Sequence, residues 1–526
     1  MSATTVRQRR SVTRSSRPAS VRAFSLDWRP LAIPAFRRMW AASVICAVGG
    51  SFSVVAVPTQ LFTVTGSSSA VGAAAGVSFA ALVVAAVWSG ARADVMDRRT
   101  ILLAAHLGLA LTYTALWLHA VLGGRSVPVL LVAVAFQGLT YGTVMTTTGA
   151  VVPRLVPAEL LPAANSLSSL VRYGGSVVGP MLAGVLVPVV GLGTLYLFDA
   201  VALLAVVWAV VMLPPLPPPP ATGMAGKGAV AGKGSMAGAA GNGDRAGKAG
   251  AVSGGRGTSA AARMLAGFRH LAADRLLVAV LAVDLAAMVF GMPSALFPEL
   301  ARDVFGGAAG GGPETGLLYA AYPAGVVVAG LLSGTFTRAR RHGALVAGAA
   351  VAWGITVVLV GLAAELWIAL AALALGGAVN CVLSAFRTTI TQARTDDAVR
   401  GRVQGALTIV LNGGPQIANL LHGFASVHLH DSTSVPLHDA AAGMLDGPRL
   451  VICVGGLLTV ITVAAITWAI PELRRYTAPA PPTAPAPAPG PEPAPRPETV
   501  AARTSPARPD DRVSSAAASR ARAGRR

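Results

Sequence analysis

Asp284, Arg172, Asp199, Arg387 and Glu299 are ionisable side chains set within stretches of sequence that are otherwise apolar. A charge at the centre of a hydrocarbon layer costs at least about 2.5–3.5 kcal/mol, so each such residue is a functional candidate by default. The chemistry open to them is proton binding and release. A carboxylate that exchanges water access for an arginine partner loads and unloads a proton in turn. Asp284 is the expected proton-coupling carboxylate, with Arg172 as its cationic partner or as a substrate contact. The competing reading of both is a permanent structural hydrogen bond or ion pair. Asp199, Glu299 and Arg387 are expected at interfaces or in structural roles.

Uncharged polar residues within the same stretches are candidates to line a cavity: Gln60, Gln137, Tyr141, Asn380, Gln416 and Asn419. Phe52, Phe136, Phe290 and Tyr322 are candidates to stack on an aromatic or macrocyclic ligand. Hydrogen bonding between helices explains the polar set equally well. The expected loop before the twelfth span, "HGFASVHLHDSTSVPLHDAAAGMLDG", holds His422, His428, His430 and His438 with Asp431, Asp439 and Asp446. His-x-His-Asp can bind a transition metal, but no structural zinc spacing is present, and neither a metal nor a cofactor is expected. Cys46, Cys381 and Cys453 are far apart in apolar runs and read as small core residues rather than a disulfide or metal set.

These residues need elements that cross a bilayer. The chain is 526 residues long, 54% hydrophobic and 12% charged, where a soluble globular protein carries about 25% charge. Apolar runs of roughly 20 residues match the ~30 Å of hydrocarbon that a helix must span. They fall near 39–63, 70–90, 101–122, 127–151, 163–188 and 192–213, then 276–300, 315–336, 344–362, 366–389, 403–427 and 449–470. The apolar–polar alternation of a membrane barrel is absent. The expected class is an all-α polytopic membrane protein of twelve helices in two six-helix bundles, 39–213 and 276–470.

A basic tail, 1–38, precedes the first bundle, and it lacks the apolar core of a cleavable signal peptide. Residues 214–275 begin with a proline run that ends the sixth helix and continue as Gly/Ala-rich linker. Residues 471–526 form a Pro/Ala/Arg-rich tail expected to be disordered. Arginines and lysines cluster in alternate loops: Arg92, Arg98 and Arg99; Arg154; the linker; Arg338, Arg340 and Arg341; Arg394, Arg400 and Arg402. By the positive-inside rule both termini and the linker are cytoplasmic, in the inner (plasma) membrane. The net charge of +20 then serves topology, and no nucleic-acid partner is expected.

The two halves echo each other. "PRLVPAELLPAANSL" and "QARTDDAVRGRVQGAL" each precede a helix with paired glycines and a proline: Gly174, Gly175 and Pro180, then Gly413, Gly414 and Pro415. Parallel six-helix repeats around a long linker are the plan of a secondary transporter. The stretch "GARADVMDRR", Gly90 to Arg99, resembles the G-x-x-x-D-x-x-x-R-R loop of the major facilitator superfamily. That resemblance implies a gating role for Gly90, Asp94, Arg98 and Arg99, with Asp94 meeting the start of the eleventh span to latch an outward-facing state. Arg92 stands where the family more commonly has a small or apolar residue. "RYGGSVVGPMLAGVL", with Gly175, Gly179, Pro180 and Gly184, resembles the superfamily's antiporter motif. "VTGSSSAVG", "VPAELLPAANSL" and "VDLAAMVFGMPSALFPELA" look like the siderophore and macrolide exporter branch, over about residues 36–470.

The resemblance implies proton-coupled efflux, by alternating access, of a medium-sized organic compound such as a siderophore, macrolide or other drug. Nutrient uptake by proton symport is the alternative on the same fold, and a membrane enzyme or sensor is the third. No catalytic residues are expected: H-E-x-x-H, G-x-S-x-G and a Walker loop are all missing from the sequence. The expected partners are a small-molecule substrate, protons and the lipid bilayer, with the protein a monomer.

Overall fold

The computed structural model describes residues 27–92, 96–214, 260–308, 310–333, 336, 339–395, 399–432 and 447–477. Within them the chain is helical throughout. The N-terminal half comprises α1 (Pro34–Gly49), α2 (Ser53–Thr65), α3 (Ser68–Arg92), α4 (Arg98–Val121), α5 (Val127–Leu155) and α6 (Leu161–Val211). The C-terminal half comprises α7 (Ala260–Ala273), α8 (Arg275–Gly291), α9 (Phe297–Asp303), α10 (Pro313–Leu331), α11 (His342–Leu362), α12 (Leu366–Ala393), α13 (Arg400–Ser432), α14 (Gly447–Ala469) and α15 (Pro471–Arg475).

Ten described segments are long and apolar enough to cross a membrane. One is α6 almost entire, and it is not a single rod. Gly191 sits at φ 77° and ψ 161°, a backbone state closed to residues with a Cβ. It divides α6 into limbs 161–190 and 192–211. The helix α13 is outside the ten because Asn412, Gln416, Asn419 and His422 interrupt its apolar residues. With α6 split at Gly191 and α13 included, the helices fit the expected twelve passes. The first pass is itself discontinuous: α1 and α2 are separated at Gly50–Phe52, and Gly66, at φ 66°, caps α2 before the turn into α3.

The passes alternate between two ends. The linker end holds the starts of α1 and α4, the ends of α3 and α6, α7, the end of α10 and the start of α11. The distal end holds Gly66, Gly191, residues 303–308 and 310–312, and the α11–α12 turn. Residues 260–273, expected within a flexible linker, form α7. Leu271 is buried there and Phe268 packs on the C-terminal core, so the segment has an apolar face to dock. Residues 471–475, expected as disordered tail, form α15, whose Leu473 is fully buried beside Gly343 of α11.

Packing separates the halves. One core cluster draws on residues from Leu271 to Leu473 alone, around Trp353, Phe386 and Val280. Two others draw on the N-terminal half, around Phe62, Leu130 and Tyr196, and around Phe36, Leu102 and Val210. Ala295 of the second half joins the Phe62 cluster. Large apolar side chains also face outward: Trp468 is 81% exposed and Trp367 73%. Such a surface suits lipid rather than water.

Candidate functional site

Two helices break near mid-depth, and their breaks border one cavity. In the first pass, Gly49–Gly50–Ser51 gives up helical continuity, and α2 restarts with unpaired main-chain N–H groups, as any helix start does. Asp199 of α6 satisfies two of them: its carboxylate accepts from Phe52 N at 3.1 Å and Ser53 N at 2.7 Å. Asp199 is fully buried. It is therefore a structural acceptor at the positive end of a half-helix, deeper than the interfacial place expected for it.

In the second half, α8 ends at Gly291 and the chain passes through Met292 and Pro293 into a short 3-10 turn, Ser294–Leu296, before α9. Proline supplies no N–H to continue the helix. Asn419 of α13 takes up the slack. Its Oδ1 accepts from Ser294 Oγ at 2.7 Å and Ala295 N at 2.9 Å. Tyr319 of α10 donates its hydroxyl to Ser294 O at 3.0 Å. His422, one turn beyond Asn419, places Nε2 3.1 Å from Phe290 O and Nδ1 2.8 Å from Ala418 O.

The cavity between these breaks has a volume of about 440 Å³, within the range of small-molecule pockets. Ser53, Val57 and Leu61 line it from α2, Ala74 and Ser78 from α3, and Gln137 from α5. Facing them are Met292, Ser294, Tyr319, Tyr322, Trp353, Gln416 and Asn419. Pro58, Pro293, Pro323 and Pro415 also reach it. No Asp, Glu, Lys, Arg or His is among the lining residues. Two neighbours hold its aromatic wall. Asn380 donates to the Tyr322 hydroxyl at 2.5 Å, and Trp353 donates to Ala287 O at 2.8 Å while its ring meets Tyr322 edge-on.

Above the cavity the two halves close on each other at the distal end. Glu299 of α9 accepts hydrogen bonds from Ser68 of α3 and Ser426 of α13. Small residues let the helices touch. A Cβ on Gly72 would stand 2.6 Å from Asn419 O, and one on Gly184 would stand 2.9 Å from the Cα of Gly316. Gly175 and Gly179 face inward instead, toward Ala47 and Ser51 of the first pass. The Gly175–Gly184 stretch thus contacts both α1 and α10, and the O of Pro180 abuts Gly316.

The sequence candidates distribute unevenly over this geometry. Gln137, Gln416 and Asn419 line the cavity. Asn380 stands behind Tyr322. Gln60 is buried in the N-terminal half, accepting from Tyr196 at 2.6 Å, and Tyr141 is exposed and outside the lining. Phe52 packs on Phe198, and Phe136 is exposed. Asp284 pairs with Arg387 of α12, not with Arg172: Nη1 to Oδ2 is 2.7 Å, with Asp284 1% exposed. Asp284 and Arg387 sit at matching depth on adjacent helices, whereas Arg172 is exposed and lies over its neighbour Tyr173. Asp284 Oδ1 has no hydrogen bond among the described residues.

In the loop that opened at Gly90, α3 runs to Arg92 and Asp94 lies outside the described residues. Asp97 caps α4, accepting from Arg99 N at 2.8 Å. Arg99 ties α4 to the end of α6, donating to Val211 O at 2.6 Å. Arg98 opens α4. His422 and His428 belong to α13 rather than to a loop, and 433–446 lie outside the described residues. Trp353, Tyr319, Ser53 and Ser294 line the cavity and were not singled out in the sequence. Proline beside serine in "GMPSALFP" was the available signal for Ser294; nothing local marked Trp353.

A family model described as Major Facilitator Superfamily matches residues 39–419. Among curated proteins, the chain is 27% identical over 449 residues to the enterobactin exporter EntS of Citrobacter koseri, covering 85% of this chain and 94% of that protein. It is 28% identical to EntS of Shigella flexneri over the same shares. Among solved structures, the nucleoside transporter NupG aligns with a TM-score of 0.58 at 12% identity, covering 84% of this chain and 99% of that one. A bacterial homologue of the human lysosomal transporter Spinster, inward-facing and unoccupied, aligns with a TM-score of 0.58 at 14% identity, over 85% and 99%.

Proposed function

The chain belongs to the Major Facilitator Superfamily, and we propose that within it the protein is a proton-coupled exporter of an uncharged, medium-sized organic compound. One observation carries this reading: a cavity of about 440 Å³ between the halves, free of charged side chains and roofed at the distal end. A charged cargo buried there would lack a counter-charge. Aromatic faces on Tyr319, Tyr322 and Trp353, with a few amide and hydroxyl groups, suit an aromatic or macrocyclic molecule bearing hydroxyls. A siderophore in its neutral form or a macrolide-like compound has that character, and the EntS relatives are named as enterobactin exporters.

With the linker end cytoplasmic, as the arginine distribution indicates, the distal roof closes the cavity to the outer face. The six-helix bundles 39–213 and 276–470 would then rock about the cavity, with Gly90, Asp94, Arg98 and Arg99 latching the opposite state. Gly175, Gly179, Pro180 and Gly184 form the small-residue seam on which the fifth pass moves. Asp284, partnered by Arg387, is the coupling carboxylate. The protein acts as a monomer in the plasma membrane.

The test is accumulation of neutral Nile red and of enterobactin in a host stripped of its own efflux pumps, with and without a protonophore. Lower accumulation on expression, restored by the protonophore, is expected. Higher accumulation on expression would turn the reading to uptake.

A further inference from the structure

His422 is 5% exposed, and both of its ring nitrogens face main-chain oxygens: Nδ1 is 2.8 Å from Ala418 O and Nε2 is 3.1 Å from Phe290 O. Carbonyl oxygens only accept. A neutral imidazole carries one N–H and can satisfy one of the two, leaving a lone pair aimed at the other; the imidazolium satisfies both. The Phe290 carbonyl is in the last turn of α8, where a helix leaves acceptors unpaired and its dipole favours a cation.

We propose that His422 is a second proton-binding site of the transport cycle, and that its charging fastens α13 to the broken α8 and favours the distal-closed conformation. The inference rests on the alternating-access reading above. His422 is the middle of three ties along one stretch of α13. Asn419 holds Ser294 and Ala295, and Ser426 reaches Glu299. All three secure the segment that roofs the cavity. The sign fits export. A proton taken up from the distal side would close the roof after cargo leaves, and its release at the linker end would free the roof to open for the next load.

The other charged groups on this seam are few. From α3 the facing residues are Ser68 and Gly72, and from α14 Gly455. On α9 Glu299 is held by Ser68 and Ser426, and Arg302 of the same helix pairs with Asp303. On α8 Asp284 is paired with Arg387. Glu299 is therefore the titratable group to separate from His422.

The test is a distance measurement on the full chain in nanodiscs, with Cys46, Cys381 and Cys453 replaced by Ala. Spin labels on Leu122→Cys and Glu365→Cys span the distal end. The parent is compared at about pH 5.5 and about pH 8.5, on either side of ordinary imidazole titration. The open-distance population is expected to grow several-fold at the higher pH. His422→Gln and His422→Asn should abolish that growth, while Glu299→Gln and His106→Gln should keep it. A parent insensitive to pH, or growth that survives in either His422 variant or vanishes in Glu299→Gln, would overturn the proposal. Protonophore-insensitive Nile red efflux by the parent would instead sink the proton-coupled reading of the cycle, independently of the distance titration.

Discussion

Arg387 reaches from α12 to Asp284 on α8, with Nη1 2.7 Å from Oδ2 and both side chains buried. Removing one partner of a buried pair leaves an uncompensated charge and costs about 3–5 kcal/mol, whereas replacing both by neutral groups costs much less. Arg387→Leu should therefore depress the melting temperature of the purified protein sharply, and Asp284→Asn with Arg387→Leu should recover most of the loss. Asp284→Asn alone should abolish gradient-driven efflux while downhill exchange of cargo persists. Normal efflux in that variant would remove Asp284 from the coupling machinery.

Asp199 bridges the break in the first pass through two main-chain N–H groups. Asp199→Ala strands both, at about 1–3 kcal/mol for each unsatisfied group. Asp199→Asn keeps one acceptor oxygen and should lose less. Because Ser53 and Val57 of α2 line the cavity, Ala at this position should also weaken cargo affinity. Thermal unfolding and the half-saturating cargo concentration, read together, check it.

Gly184 and Gly316 touch backbone to backbone across the halves. Gly184→Leu should prevent distal closure. A reporter Ser78→Cys in the cavity should then react with a membrane-impermeant thiol reagent from the distal side several-fold faster than in the parent. An unchanged rate would show that this contact is not the roof.

Ala74 borders the cavity beside Ser78. Ala74→Trp would occupy much of the volume, and it should abolish efflux of Nile red with the protein still present in the membrane at parental levels. Asn380→Leu should act more gently: it removes the donor to Tyr322 and should raise the half-saturating concentration several-fold. Efflux by Ala74→Trp at the parental rate would place the cargo elsewhere.

The passes were legible because twenty apolar residues in a row have few other uses. What escaped the sequence were departures from regular helix. Gly49–Gly50–Ser51 looks like tolerated small residues until Asp199, 146 residues beyond Ser53, is seen to complete the break. The turn between 188 and 192 was legible, but not that Gly191 alone makes it, with helix on both sides. The partner of Asp284 was unreadable for another reason. Arg172 and Arg387 both lie in apolar runs, and only helix adjacency and rotation decide which reaches the carboxylate. Gln137, Gln416 and Asn419 were legible as polar residues among apolar ones, but Gln60 carries the same signature and spends it on Tyr196. Trp353 carried no signal, since a tryptophan in a membrane helix is equally at home facing lipid.

The prolines around the cavity have a chemical consequence of their own. Pro58 cannot donate to the carbonyl of Val54, nor Pro323 to that of Tyr319, and all four residues border the same space. The wall therefore offers peptide oxygens as docking points for the hydroxyls of a passenger molecule. Recognition written in main chain survives the replacement of neighbouring side chains, so one such chamber can accept compounds of quite different outline provided they bring O–H or N–H groups to the same places.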